Sequence, residues 1–277
     1  MSLLSDLPNE LIEYIIFKME NVIDIVNLST CSRKFNSICK DCRINKDINI
    51  YDIREMNNIK DALYFNNGLK LKLKLKIKDK NIRNEDIKAE TFSKLYELSI
   101  YRCYNITDVS ALGIIHTLNL TGCDGITDVS ALRNVHTLNL TGCEGITDVS
   151  MLGKVHTLNL SRCENINDVS ALGNVYNLNL SYCINIKDVS MLSRVHTLNL
   201  TCCVISDVSA LGNVHSLNLS HCRNITDVST LGNVHNLNVE GCYNIKNISS
   251  IRNVNTLDLY GYCNINLIIK YFRNKKF

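Results

Sequence analysis

Three side chains able to serve as nucleophile, metal ligand or acid recur at a fixed interval along the chain. Cysteine stands at Cys103, Cys123, Cys143, Cys163, Cys183, Cys203, Cys222 and Cys242, and histidine at His116, His136, His156, His196, His215 and His235. Aspartate stands at Asp108, Asp128, Asp148, Asp168, Asp188, Asp207 and Asp227. A thiol column invites redox or soft-metal chemistry, an imidazole column metal binding, and a carboxylate column calcium. Local context argues against each. Every cysteine sits among core aliphatics and reads as a buried structural thiol. The histidines open a strand, and at a strand spacing of about 4.8 Å they cannot all be protonated cheaply, so neutral packing is expected. Each aspartate precedes Val-Ser at a turn and is expected to cap it by accepting backbone N–H groups. Repulsion between carboxylates about 5 Å apart is ~0.8 kcal/mol in water and larger if buried, so that column must be solvated or bridged. Calcium bridging lacks the glycine-rich acidic nonapeptide that would support it. Cys39 and Cys42, with Cys31 nearby, lack a second pair at zinc spacing. No Ser/His/Asp arrangement, phosphate loop or paired carboxylate stands apart from the repetition. The chain is therefore expected not to be an enzyme, with no catalytic residue, metal or cofactor.

The elements that carry these columns are copies of one unit, typified by Val135 to Lys154. Copies begin at Leu95, Ile115, Val135, Val155, Val175, Val195, Val214, Val234 and Val254, a spacing of 20 with a single 19. Counting from each start, apolar residues hold positions one, four, six, twelve, fifteen and eighteen, and cysteine holds nine. In the type unit these are Val135, Leu138, Leu140, Ile146, Val149, Leu152 and Cys143. Alternation in the first half predicts a strand, and only about five residues, Asp148 to Leu152, remain for the return, which suits one 3₁₀ turn. Upstream, Leu69 to Lys78 alternates strictly between aliphatic and lysine and predicts a half-buried strand. Matching Leu75 and Ile77 to the strand leucines of the first clear unit makes residues 69–94 a degenerate capping repeat. Its lysines Lys74, Lys76 and Lys78 then protect a sheet edge or form a basic patch for an acidic partner. Ile53, Met56, Ile59 and Leu63 are spaced as an amphipathic helix, which assigns 43–68 as a linking helix. Residues 1–42 carry three apolar sets at helical spacing, the first led by Pro8, and too little surface to fold without docking.

Two stretches carry family resemblances. Leu7-Pro8-Asn9-Glu10-Leu11-Ile12, Ile15-Ile16, Leu28-Ser29, Cys31 and Arg33-Lys34-Phe35 resemble an F-box, with Phe35 where tryptophan is frequent. That resemblance implies docking on a Skp-family adaptor, and through it a cullin, with Leu7, Pro8, Glu10, Leu11, Ile15, Leu28 and Phe35 at the contact. The repeated unit is similar to the leucine-rich repeat in its cysteine-containing form. It implies an α/β solenoid over 95–277 of about nine repeats, with a parallel sheet on the concave face, 3₁₀ turns on the convex face and a C-terminal cap. Together the two resemble the substrate receptor of an SCF ubiquitin ligase, in which the F-box holds the adaptor and the solenoid a target protein. The alternatives are a binding scaffold without the adaptor, or a decoy that binds the adaptor and recruits nothing. The near-identical repeats also resemble proteins of large DNA viruses of amoebae and their hosts.

Composition agrees with such a role. A net charge of +3 over 277 residues does not favour nucleic acid or membrane as partner, and no apolar run approaches a membrane span. Thirteen cysteines behind an N-terminus that does not resemble a signal peptide indicate reduced thiols in a cytoplasmic or nuclear protein. The concave face, read from positions three, five and seven, is a monotony of Thr, Asn and Ser. Residues able to anchor a partner gather elsewhere: Tyr96 and Tyr101 at the start, Tyr260 and Tyr262 at the end, Arg102 and Arg162 beside the strands. A partner is expected to engage an end or the loop edge.

Overall fold

The computed structural model describes residues 8–18, 46–50, 73–77, 81–87, 92 and 95–260. Among these residues, eleven strands lie side by side in chain order in a single sheet. The first two are β1 (Lys46–Ile50) and β2 (Leu73–Ile77), and β3 (Glu97–Ile100) opens the regular repeats. The rest are β4 (Thr117–Asn119), β5 (Thr137–Asn139), β6 (Thr157–Asn159), β7 (Asn177–Asn179), β8 (Thr197–Asn199), β9 (Ser216–Asn218), β10 (Asn236–Asn238) and β11 (Thr256–Asp258). Every pairing is parallel and equivalent positions face one another, as in Leu138 beside Leu118 and Leu158. Each repeat thus contributes one short strand and returns over the far side, so successive repeats stack as a leucine-rich-repeat solenoid.

Uniform spacing produces this register because each apolar position has one place to go. Leu138, Leu140, Cys143, Ile146, Val149, Leu152 and Val155 are all buried, and their counterparts in neighbouring repeats join them in one continuous core. The return is a 3₁₀ turn, from Ser110–Leu112 through Ser150–Lys154 to Ser250–Asn253. Its bonds span three residues: in the type repeat Leu152 donates to Val149 at 3.0 Å and Val155 to Leu152 at 3.0 Å. Too few residues separate the aspartate from the next strand for an α-helix to close its longer rings.

The degenerate repeat is present in the predicted register, with Leu75 beside Leu98 and Ile77 beside Ile100. Ile77, Ile82, Ile87 and Phe92 are buried, and a 3₁₀ turn at Asn84–Asp86 lies beside Thr107 and Asp108, just ahead of the position where the next repeat places its own. Asn84 joins that turn to the next, its amide oxygen accepting from the Thr107 and Asp108 N–H groups at 2.9 and 3.1 Å.

Two expectations need correction. The segment assigned as a linking helix, 43–68, contains strand β1, because Ile48 and Ile50 alternate with Asp47 and Asn49 at a period of two. The helical spacing from Ile53 onward lies outside the described residues. Edge protection does not account for the lysine strand, because β1 pairs along it and β2 is an interior strand. Lys74 instead stands in register between Asp47 and Glu97, an alternation of charge across three strands. Lys78 lies outside the described residues.

Candidate functional site

Four candidate sites follow from the fold: the N-terminal helix, the three chemical columns, the concave face, and the loop edge where each strand ends. Helix α1 (Asn9–Lys18) begins directly after Pro8, whose carbonyl accepts from Leu11 and Ile12 at 3.1 and 3.2 Å. Ile12 is fully buried, whereas Leu11 is 44% exposed and Tyr14 57% exposed. Ile15 is half-buried and Glu10 exposed. The helix thus anchors one side in the chain and leaves the Leu11 side open. Leu7, Leu28 and Phe35 lie outside the described residues.

The thiol column is sealed. Each thiol from Cys143 to Cys242 donates to the position-six carbonyl of the preceding repeat, as Cys143 to Leu120 at 3.1 Å and Cys222 to Leu200 at 3.0 Å. Burial pushes the Cys143 and Cys203 thiols up to about 12 and those of Cys183 and Cys242 up to about 11. At neutral pH these groups stay protonated and inert. Cys123 goes the other way, drawn down by a hydrogen bond from the Cys103 side chain.

The aspartates cap as expected, through Asx turns. Asp148 accepts the Ser150 N–H at 2.8 Å, and the same bond recurs from Asp108 to Asp227. In the following repeat Asn247 makes it to Ser249 at 2.9 Å. The backbone hydrogen bond, then the serine hydroxyl, hold the carboxyls of Asp128, Asp148 and Asp168 below the usual range. All lie exposed at the convex turn. Among the described residues, no group of three or more His, Cys, Asp or Glu is placed to hold a metal ion.

The histidines stack face to face, and the column is longer than the histidine pattern indicates. Tyr96, His116, His136, His156, Tyr176, His196, His215 and His235 follow one another with ring centroids 4.4 to 4.9 Å apart. The rings are fixed by neighbours in their own repeat, with His136 Nδ1 3.3 Å and His156 Nδ1 3.2 Å from the next threonine Oγ1. Tyr96, a candidate anchor in the sequence, is the first ring of this stack. Its membership was legible as position two of the repeat.

On the concave face the position-five asparagines bond within their own repeats. Asn139 Oδ1 accepts both the N–H and the hydroxyl of Thr141, at 3.0 and 2.6 Å, which ends the strand. Bonds along the stack are fewer, such as Asn177 Nδ2 to Thr157 Oγ1 at 3.3 Å. Tyr101 lies on this face, half-buried, with its hydroxyl 3.4 Å from Asn119 Nδ2.

The loop edge differs from all of these. After each strand the chain makes a tight turn, closed in the type repeat by Cys143 N–H donating to Leu140 at 3.1 Å. The third residue of that turn, position eight, has φ between 53 and 70°, the region glycine occupies freely. Glycine fills it at Gly122, Gly142 and Gly241, but Arg102, Arg162, Tyr182, Cys202 and His221 fill it elsewhere with φ of 53 to 63°. A side chain there costs about 1 kcal/mol or more. Four of the five stand in consecutive repeats. Arg162 lays its guanidinium over the Tyr182 ring, 4.8 Å from the centroid, and a Cβ on Gly241 would collide with the His221 ring. Two residues further on, position ten reads Tyr104, Asp124, Glu144, Glu164, Ile184, Val204, Arg223 and Tyr243. Tyr182, Ile184 and Val204 are 41, 44 and 47% exposed, and Cys202 is half-buried.

This patch coincides with the 19-residue repeat. Position eleven is glycine at Gly125 and Gly145, and from Asn165 onward an asparagine that donates to the position-ten carbonyl one repeat back, as Asn165 to Glu144 and Asn185 to Glu164, both at 2.8 Å. The repeat from Val195 lacks that residue, and Val204 leads directly to Ile205. Of the anchors expected from sequence, the structure places Arg102 and Arg162 on this edge. Tyr260 is 78% exposed after β11, and Tyr262 lies outside the described residues. Tyr182, Ile184, Cys202, Val204 and His221 were not anticipated. Reading positions eight and ten down the repeats, instead of each repeat along its length, would have found them.

Comparison with known proteins agrees with this architecture. The F-box domain family matches residues 4–47, and a leucine-rich-repeat family matches residues 131–152. An internalin (inlF) from Listeria monocytogenes is similar in structure, with a TM-score of 0.50 and 17% identity over 90% of this chain and 84% of that one. A leucine-rich-repeat protein of Leptospira interrogans follows at a TM-score of 0.44 and 15% identity, covering 78% and 67% of the two chains. The functional domain of InlJ from Listeria monocytogenes, described as including a cysteine ladder, has a TM-score of 0.39 and 18% identity over 69% and 48%. No curated protein matches the chain. The chain thus joins an F-box to a leucine-rich-repeat solenoid.

Proposed function

We propose that this chain, an F-box followed by leucine-rich repeats, is the substrate-recruiting subunit of an SCF-type ubiquitin ligase. The observation that carries the reading is the order of the two parts. An adaptor-binding family matches residues 4–47, and a rigid solenoid follows it with a long surface available to a target. The open Leu11 side of α1 suits docking of the Leu-Pro start onto a Skp-family adaptor, and through it a cullin. The chain performs no chemistry of its own. It holds a target near the ligase's catalytic subunits and so raises its effective concentration there. The sealed thiols and capped aspartates support this non-enzymatic role, because their hydrogen bonds and burial explain them structurally. No helix among the described residues is long and apolar enough to cross a membrane. The described cysteines are free thiols, in keeping with a cytoplasmic or nuclear location. Near-identity of the repeats supports an origin among large DNA viruses of amoebae or their hosts.

The test is titration of the full chain with purified Skp adaptor, followed calorimetrically. Binding by the natural chain and its loss in the Leu7→Ala, Pro8→Ala variant are expected. Retention of binding by that variant contradicts the F-box contact.

A further inference from the structure

We propose that the loop edge from Glu144 to Arg223 is a docking site for an extended segment of a partner protein, apolar in its middle, basic at one end and acidic at the other. The proposal rests on the reading that the solenoid holds a target, and it names the chemistry of what is held.

Three observations carry it. The middle of the edge is apolar and exposed: Tyr182, Ile184 and Val204 project from adjacent repeats, with Cys202 between them. Elsewhere on the same edge, position ten carries a charge or, at Tyr104 and Tyr243 near the two ends of the stack, a tyrosine; aliphatic side chains stand there only at Ile184 and Val204. The apolar middle is also held in place at a cost to the fold, since Tyr182 and Cys202 occupy a left-handed position that glycine fills in other repeats. The Arg162 guanidinium braces the Tyr182 ring. A stack selected for stability alone would place glycine here, as it does at Gly122 and Gly142.

The flanking charges give the occupant its polarity. On the N-terminal side stand Glu144 and Glu164, and on the C-terminal side Arg223 beside His221. Among the described residues, the carboxylates of Glu144 and Glu164 and the guanidinium of Arg223 form no ion pair. The acidic side is also open, because no atom lies within 4 Å of where a Cβ on Gly142 would be. An incoming basic side chain therefore meets the free Glu144 carboxylate over bare backbone, with Glu164 beside it in the next repeat, where the Arg162 guanidinium lies over the Tyr182 ring. An acidic one meets Arg223. From the repeat of Glu144 to that of Arg223 the edge spans four strand spacings, roughly 19 Å, the reach of about six extended residues.

The probe is a fluorescent peptide, Lys-Lys-Ala-Leu-Phe-Ala-Glu-Glu, titrated with the full chain by anisotropy at low salt. Saturable binding is expected, weaker by about tenfold or more for peptides with lysine at both ends, glutamate at both ends, or the leucine and phenylalanine replaced by serine. Replacing Ile184 and Val204 with serine, both exposed, should weaken binding by a similar factor. Arg223→Glu should lose the designed peptide and gain the one with lysine at both ends, a reversal that damage to the fold would not produce. Bound peptide should protect Cys202 from alkylation, read by mass spectrometry. No preference among the four peptides, or no reversal by Arg223→Glu, overturns the proposal. So does a self-associated chain, seen by sedimentation, that Ile184→Ser with Val204→Ser makes monomeric, because a second copy then occupies the edge. Adaptor binding is measured on the same samples. Loss of peptide with adaptor binding intact defeats only the docking edge, and the opposite result defeats only the ligase reading.

Discussion

The two edges of the sheet belong to the same strands and differ in almost every other respect. At the strand starts, position two holds a flat ring in eight successive repeats, six histidines and two tyrosines in one stack. At the strand ends, position eight holds arginine, glycine, tyrosine, cysteine or histidine. The first edge carries imidazole and phenol rings in the same stack, so its requirement is stacking. The second edge imposes a backbone conformation that favours glycine and nevertheless carries bulky side chains in consecutive repeats. Identity under a shared physical demand marks a structural column, whereas variation against a local cost marks a surface kept for another purpose.

That contrast can be broken or sharpened by substitution. The largest effect is expected where both edges depend on one core: Leu160→Ala, fully buried, should lower unfolding free energy by about 2 to 5 kcal/mol in denaturant titration. Next come the glycines of the variable edge. Gly241→Ala meets both a positive φ and the His221 ring, and should cost more than Gly142→Ala, which meets the backbone cost of about 1 kcal/mol and open space. Equal losses at the two sites would remove the side-chain part of the account. Cys202→Gly should run the opposite way, leaving stability unchanged or raised by up to about 1 kcal/mol, because relief of the left-handed strain outweighs the flexibility of an added glycine. Asp148→Ala should lower the melting temperature less than Leu160→Ala does, through loss of one Asx turn.

The smallest effect is that of pH. His215 is held below its ordinary value of 6.5, first by desolvation in the stack and then by the charges of His196 and His235. The unfolded chain then binds this proton more readily than the folded one, so stability is complete above about 6.5 and falls as pH drops through the lower folded value. The aspartates, also lowered from 3.8, add a second loss below that pH. An NMR titration of the His215 ring should give a midpoint under 6.5, and one above it would contradict the stacked arrangement.

Much of the solenoid was legible because its positions are over-determined. Leu138, Cys143 and Val149 can satisfy burial in one register only, and repetition confirms each through its neighbours. The degenerate strand was placed correctly from Leu75 and Ile77 alone. Less was legible where a signal is short or runs across repeats. Strand β1 offers two isoleucines, too few to outweigh the helical spacing beginning at Ile53. Tyr176 and Tyr96 join the ring column by shape, which a search for histidine does not detect. The exposed group at Tyr182, Ile184 and Val204 exists only once successive repeats lie a few ångströms apart.

Hydrogen exchange on the full chain separates the two edges most directly, with the amides of Leu140, Leu160, Leu180 and Leu200 as reporters, since each donates to the next repeat at 2.8 Å. Serine at Tyr182, Ile184 and Val204 should leave their protection unchanged, whereas serine at His136, His156 and His196 should lower it. Faster exchange in the first variant, or unchanged exchange in the second, would contradict the division between a structural edge and a surface for partners.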